Sequence, residues 1–245
     1  MRWSILLSLA AATFAQPLAF DAASVKRSPP MDGTNGPIYV GSRGGPGSSD
    51  PGRYTCTFCT LGGLITDAYG VPEFRMVSAT RLPEERFHVM ATVPAGADRA
   101  QFRLMLQRLL AERWNVAVHT EKREMPMCRL TVAPGGSKLQ PYRDGEPALQ
   151  PPPGRRAPGF YYRVQGKTIG EFATVLQGQL RRPVEDRTRL PGKYDFDVWW
   201  TFDDSDTGAP TIYSAVQSLG LRLENGKAPV EVIVVDRFDK APAEN

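Results

Sequence analysis

The chain has 245 residues, 41% of them apolar, which allows two small domains or one larger one and excludes disorder throughout. Lys and Arg total 30 against 26 Asp and Glu, a formal charge of +4. Cations and anions interleave, as in Glu84-Glu85-Arg86 and Glu121-Lys122-Arg123-Glu124, and the pairs Arg155-Arg156 and Arg181-Arg182 are too short to track a phosphate backbone, so nucleic acid is excluded as a partner.

Residues 1–15 have the pattern of a signal peptide. Arg2 supplies a short positive region, Ile5 to Phe14 an apolar run, and Thr13 and Ala15 the small residues before Gln16. Pro17 and Asp21 interrupt the run short of the roughly 20 apolar residues a membrane-spanning helix needs, so no transmembrane anchor is expected in the mature chain. No lipobox cysteine follows it. The expected location is outside the cytoplasm, periplasmic or extracellular. Residues 16–52 read as a strand from Phe20 to Lys26 and then a loop rich in Gly, Pro and Ser from Ser28 to Gly52.

Two segments of similar layout follow. Residues 53–133 run RYTCTF, the helical TLGGLITDAYGV, FRMVSA, RFHVMATVP, a long helix marked by Phe102, Met105, Leu106, Leu109 and Leu110, and NVAVHTEKREMPMCRLTV, read as a hairpin. Residues 134–159, with Pro151-Pro152-Pro153, read as a linker. Residues 160–240 run FYYRVQ, TIGEFATVLQGQL, RPVEDRT, KYDFDVWW, the helix TIYSAVQSL, and LRLENGKAPVEVIVVDR, read as a second hairpin turning at Asn225-Gly226; residues 241–245 are a tail. Thr168 is placed to N-cap its helix with Glu171 closing a capping box, and Thr60 corresponds to Thr168. The expected fold class is α+β, two tandem β-α-β-β-α-β-β units, each a small mixed sheet with two helices on one face.

Residues able to carry chemistry are few. Cys56 falls inside a predicted strand and Cys59 just before a helix, whereas a redox Cys-x-x-Cys places its first thiol at a helix N-terminus. Cys56, Cys59 and Cys128 therefore read as buried small residues with one structural disulfide, its pairing left open; a zinc site using these thiols and His119 is the alternative. His88 alternates with Phe87, Val89 and Ala91 and reads as a partly exposed strand histidine. His119, Glu121 and Glu124 lie at the expected hairpin tip, where an acid/base or metal site competes with plain solvation. Asp203-Asp204-Ser205-Asp206-Thr207-Gly208 begins like a calcium loop, but Ser214 stands where the closing Glu is required, so a polar loop is expected. Neither metal nor cofactor is expected. In KYDFDVWW, Tyr194, Phe196, Val198, Trp200 and Phe202 form one apolar face and leave Asp195, Asp197 and Trp199 on the other, a binding surface unless another unit covers it.

The segments FDAASVKRSPP, GRYTCTFCTLGGLITDAYGVP, RFHVMATVP, MLQRLLAERWNVAVHTEKREMPMCRLTVAPGGSKLQP, RRPVEDRTRLPGKYDFDVWWTFD and APVEVIVVDRFDKAPAEN resemble the soil-associated acidobacterial paralogous family, a domain of unknown function. Cys56 and Cys59 depart from that family's pattern, and the resemblance implies no catalytic residue. The element order is also similar to the short N-terminal domains of secretins and TonB-dependent transducers, which implies protein binding by analogy of architecture. No G-x-S-x-G elbow, S-x-x-K or H-E-x-x-H occurs. The expectation is an exported, non-enzymatic binding module with an envelope or extracellular protein partner; the rivals are an exported hydrolase using carboxylates and His119, and a passive envelope component.

Overall fold

The computed structural model describes residues 18–30, 39–145, 159–201 and 210–243. The expected leader, the calcium-like run and residues 146–158 of the proline-rich linker lie outside the described residues. In chain order the elements are β1 (Ala22–Arg27), β2 (Gly41–Gly44), β3 (Arg53–Thr60), α1 (Leu61–Tyr69), β4 (Met76–Ser78), β5 (Arg86–Thr92), α2 (Arg99–Trp114) and β6 (Ala117–Val132). They continue with β7 (Gln140–Pro141), β8 (Phe160–Lys167), α3 (Ile169–Leu180), β9 (Val184–Asp186), β10 (Tyr194–Trp200), α4 (Ile212–Ser218) and β11 (Leu221–Arg237). The fold is mixed α+β. The succession β3-α1-β4-β5-α2-β6 recurs as β8-α3-β9-β10-α4-β11. No helix of the described residues is long and apolar enough to cross a membrane.

Two compact units divide the chain discontinuously: residues 1–71, 78–118 and 235–245, and residues 72–77 and 119–234. In the first, a sheet of order β1-β5-β3-β2 is antiparallel throughout. Leu61, Leu64, Ile65 and Ala68 of α1 and Met105, Leu106, Leu109, Leu110 and Trp114 of α2 are buried, as are Phe87, Val89 and Ala91 of β5. Burial of each large apolar side chain contributes about 1.5–3 kcal/mol, well above helix propensity, so packing decides these helices. Trp114 meets Phe87 edge to face at 5.1 Å. Thr60 caps α1 by accepting from Gly63 N, and Asp98 with Gln101 closes a capping box on α2.

The second unit packs a three-stranded sheet, order β7-β10-β8, with α3 and α4 around Phe172, Leu176, Phe196, Val198, Trp200 and Val216. Phe172 meets Phe196 edge to face at 4.9 Å and stacks on Tyr162 at 6.1 Å. A further sheet has the order β4-β11-β6-β9, with β9 parallel to β6 through Cys128↔Val184.

Two expectations are corrected. Neither hairpin forms: β6 and β11 are unbroken strands of 16 and 17 residues that neighbour each other. They run antiparallel, with Ala133 N donating to Gly220 O and Glu124 paired with Lys227 at 3.7 Å. Asn225 is a hydrogen-bond acceptor here, not a turn residue: its Oδ1 takes bonds from Cys128, Arg182 and Tyr213. A Cβ on Gly226 would lie 3.1 Å from the Arg129 guanidinium, so this glycine admits a crossing side chain. Secondly, β2 and β7 lie within stretches read as loop and linker. They pair through backbone with β3 and β10 and leave no side-chain alternation to read.

The capping box of α3 is formed as expected. Thr168 Oγ1 accepts from Glu171 N at 3.3 Å, and Glu171 Oε2 accepts from Thr168 N at 2.9 Å. That backbone bond, with Lys167 beside it, lowers the Glu171 carboxyl from its ordinary 4.5 to about 2. A depressed carboxyl contributes stability that is complete above the unfolded value near 4.5 and is lost as pH falls through about 2. Carbon-13 titration of Glu171 should show a midpoint near 2; a midpoint above 4 would mean that the box is open in solution.

Candidate functional site

Strand β10 owes its position to its own alternation. Tyr194, Phe196, Val198 and Trp200 are buried, and Asp195, Asp197 and Trp199 point to the opposite face. Register against β8 then sets the neighbours: Asp197 lies opposite Arg163 and Trp199 opposite Tyr161. Arg163 Nε donates to Asp197 Oδ1 at 3.1 Å and its Nη2 to the Tyr161 hydroxyl at 3.2 Å. The guanidinium lies 5.7 Å from the Tyr161 ring centroid.

Asp195 belongs to the architecture. It is 9% exposed and accepts from Gly166 N at 2.7 Å where the β8–β10 register shifts, so it closes a bulge. Trp199 is half-buried. A Cβ on Gly159 would come within 2.5 Å of its indole nitrogen, so the chain entering β8 passes beside the ring. Tyr161 remains 39% exposed and Arg163 lies between it and Asp197. Sequence reasoning missed both residues, although FYYRVQ alternates. Which β10 residues they face is a matter of register, and register between strands this far apart is written in no local pattern.

His119, Glu121 and Glu124 do not converge. His119 Nε2 lies 3.7 Å from Glu121 Oε2, Arg123 Nε bonds the same carboxylate, and Glu124 pairs instead with Lys227. The Arg123 hydrogen bond, with His119 contributing, holds the Glu121 carboxyl below its ordinary range. A carboxylate so held is a weak proton acceptor, and the row is an exposed ion-pair ladder on a continuous strand.

The cysteine pairing is Cys56–Cys59, and Cys128 is a buried free thiol. The bond spans a bulge in β3 where the register with β5 slips and Phe58 takes a left-handed φ of 54°. Arg86 Nη1 donates to Phe58 O at 3.0 Å, and the Phe58 ring meets His88 edge-on at 4.8 Å. His88 is thus half-buried on the face opposite Phe87 and Val89, as its alternation implies. Without reductant, thiol titration of the unfolded protein should count one group per chain, and of the folded protein none; two or more in the unfolded state would contradict this pairing.

Among the described residues no group of three or more His, Cys, Asp or Glu side chains is arranged to hold a metal ion. Ser214, the residue compared with a closing calcium ligand, lies in α4 and bonds Thr211 at its N-cap. A family model described as a protein of unknown function (DUF3738) matches residues 62–238. No curated protein and no solved structure matches the chain.

Proposed function

We propose, for a chain that belongs to the DUF3738 family of unknown function and takes no activity from it, that this protein is an exported, non-enzymatic module that binds an extended polypeptide along β8. The observation that carries the reading is the place of β8: eight residues long, it has β10 on one side and, among the described residues, no strand on the other. Alternate residues of such a strand turn their N–H and C=O groups outward, where an added strand completes the ladder. Beside that edge stand Tyr161 and Trp199 as aromatic anchors and the Arg163–Asp197 pair as polar fixers of register.

Export is part of the same reading and is supported by the Cys56–Cys59 disulfide, since such bonds persist in oxidising compartments. The finer likenesses, to the soil-associated acidobacterial family and to secretin-type domains, agree with it and belong to the proposal. The hydrolase alternative is weaker because Glu121, its best base, is held ionised by Arg123. The partner is an envelope or extracellular protein that offers an extended segment.

Linear peptides selected from a displayed library against the whole protein supply the probe. Amide shifts on binding should concentrate in Phe160–Gln165 and the Trp199 indole, with backbone contacts between peptide and β8. Tyr161→Ala should weaken binding roughly thirtyfold, the equivalent of about 2 kcal/mol, at unchanged thermal stability, while His119→Ala leaves it unchanged. Binding that maps away from β8, or that Tyr161→Ala does not alter, contradicts the proposal.

A further inference from the structure

The first unit contains a concave feature, remote in sequence from β8. A cleft of about 330 Å³ is walled by the turn after β2, the C-terminal end of α1 and the first turns of α2. That is near the small end of ligand sites, which span about 300–1,000 Å³. The turn lies in the stretch whose Gly, Pro and Ser content reads as a loop, and its conformation is determined. Gly45 N donates to Asp50 O and Arg53 O, and Ser48 Oγ donates to Gly45 O at 2.7 Å. Gly44 has a φ of +82°, and a Cβ there would lie 1.9 Å from Arg53 O, so no other residue closes the turn this tightly.

The cleft's charge is the informative part. Arg99 and Arg103, four residues apart on α2, both line it. Among the described residues neither has an ion-pair partner, while Asp67, the carboxylate of the cleft, accepts the Tyr54 hydroxyl at 3.3 Å. The Arg103 guanidinium is laid over Gly70, where a Cβ would come within 2.3 Å of Cζ. Arg99 opens α2, where the helix dipole disfavours a cation, and the Asp98 carboxylate at the N-cap beside it is engaged by Gln101 N. A like-charge pair at one helical turn adds to that cost. Local stability therefore argues against Arg99, a cost that a bound anion would offset, whereas Arg103 over Gly70, the C-cap of α1, is placed where the α1 dipole favours a cation. Phe102, Val71 and Pro46 give the cleft an apolar part and Ser42 and Thr66 add hydroxyls, and buried Tyr54 meets Phe102 edge to face at 5.1 Å.

We infer that this cleft is a ligand site for a small oxyanion, a carboxylate or phosphate on a short apolar body, received by the Arg99 and Arg103 guanidinium forks. The planar fork matches both anions in two-point fashion. The apolar walls select a body of aromatic or branched aliphatic character. This site is independent of β8, and either can fail without the other.

Calorimetric and amide-shift titration of the whole protein with phenyl phosphate, inorganic phosphate, hippurate and its uncharged amide tests the inference. The charged aromatic probes should bind, the amide should not, and affinity should fall as salt is raised. The tighter of phenyl phosphate and hippurate identifies the anion, and inorganic phosphate binding more weakly than phenyl phosphate identifies the apolar wall. Arg99→Gln should weaken binding at least about tenfold, the loss expected for one charge-assisted hydrogen bond. Arg103→Lys keeps the charge over Gly70 and loses the fork, so it should also weaken binding in a folded protein. Equal binding of hippurate and its amide, no saturable binding of any anion, or full affinity in both variants overturns the site.

Discussion

The antiparallel pairing of β6 with β11 is the constraint on which the second unit depends. Thr131 Oγ1 bonds Arg222 O across a separation of 91 residues, so the pairing closes a long loop before any contact rewards it. The logarithmic part of that closure costs about 4 kcal/mol. Burial of Cys128 and Leu130 from one strand and Leu221, Leu223, Val232 and Ile233 from the other is of a size to offset it. Once the strands meet, Asn225 gathers Cys128, Arg182 and Tyr213, which ties α4 and the chain entering β9 to the pair. Strand β9 then adds in parallel on the other side of β6.

How far the fold was legible follows from the range of each signal. Helix α3 was readable because its determinants are local: Thr168 and Glu171 at its start, and Ile169, Phe172, Ala173 and Leu176 at one turn's spacing. The long strands were misread for a physical reason. His119 to Glu124 are polar because they line an exposed stretch of strand, and a hairpin tip is polar for the same reason. Asn225-Gly226 has turn composition, but Asn225 is used for its side-chain oxygen and Gly226 for the space it leaves to Arg129. Strands β2 and β7 are short, pair through backbone and leave no alternation in side-chain pattern.

The same distinction separates the two sites. The outward residues of β10 could be found by alternation, because a two-residue period is local. Arg163 and Tyr161, which decide what that face presents, are brought there by register with a strand more than 30 positions away, as the separation of 34 for Arg163 and Asp197 shows. The cleft of the first unit is assembled from a glycine turn, a helix end and a helix start, and only Arg99 at the start of α2 broke a local rule.

Backbone NMR of the native protein tests the central claim most directly. Continuous pairing predicts nuclear Overhauser contacts from the Glu124 region to the Lys227 region and slow exchange of alternate amides from Glu121 to Arg129. Contacts folding the His119 side of β6 back onto its own Met127 side, with fast exchange at Lys122 and Arg123, would mean that a hairpin forms there and would contradict the account.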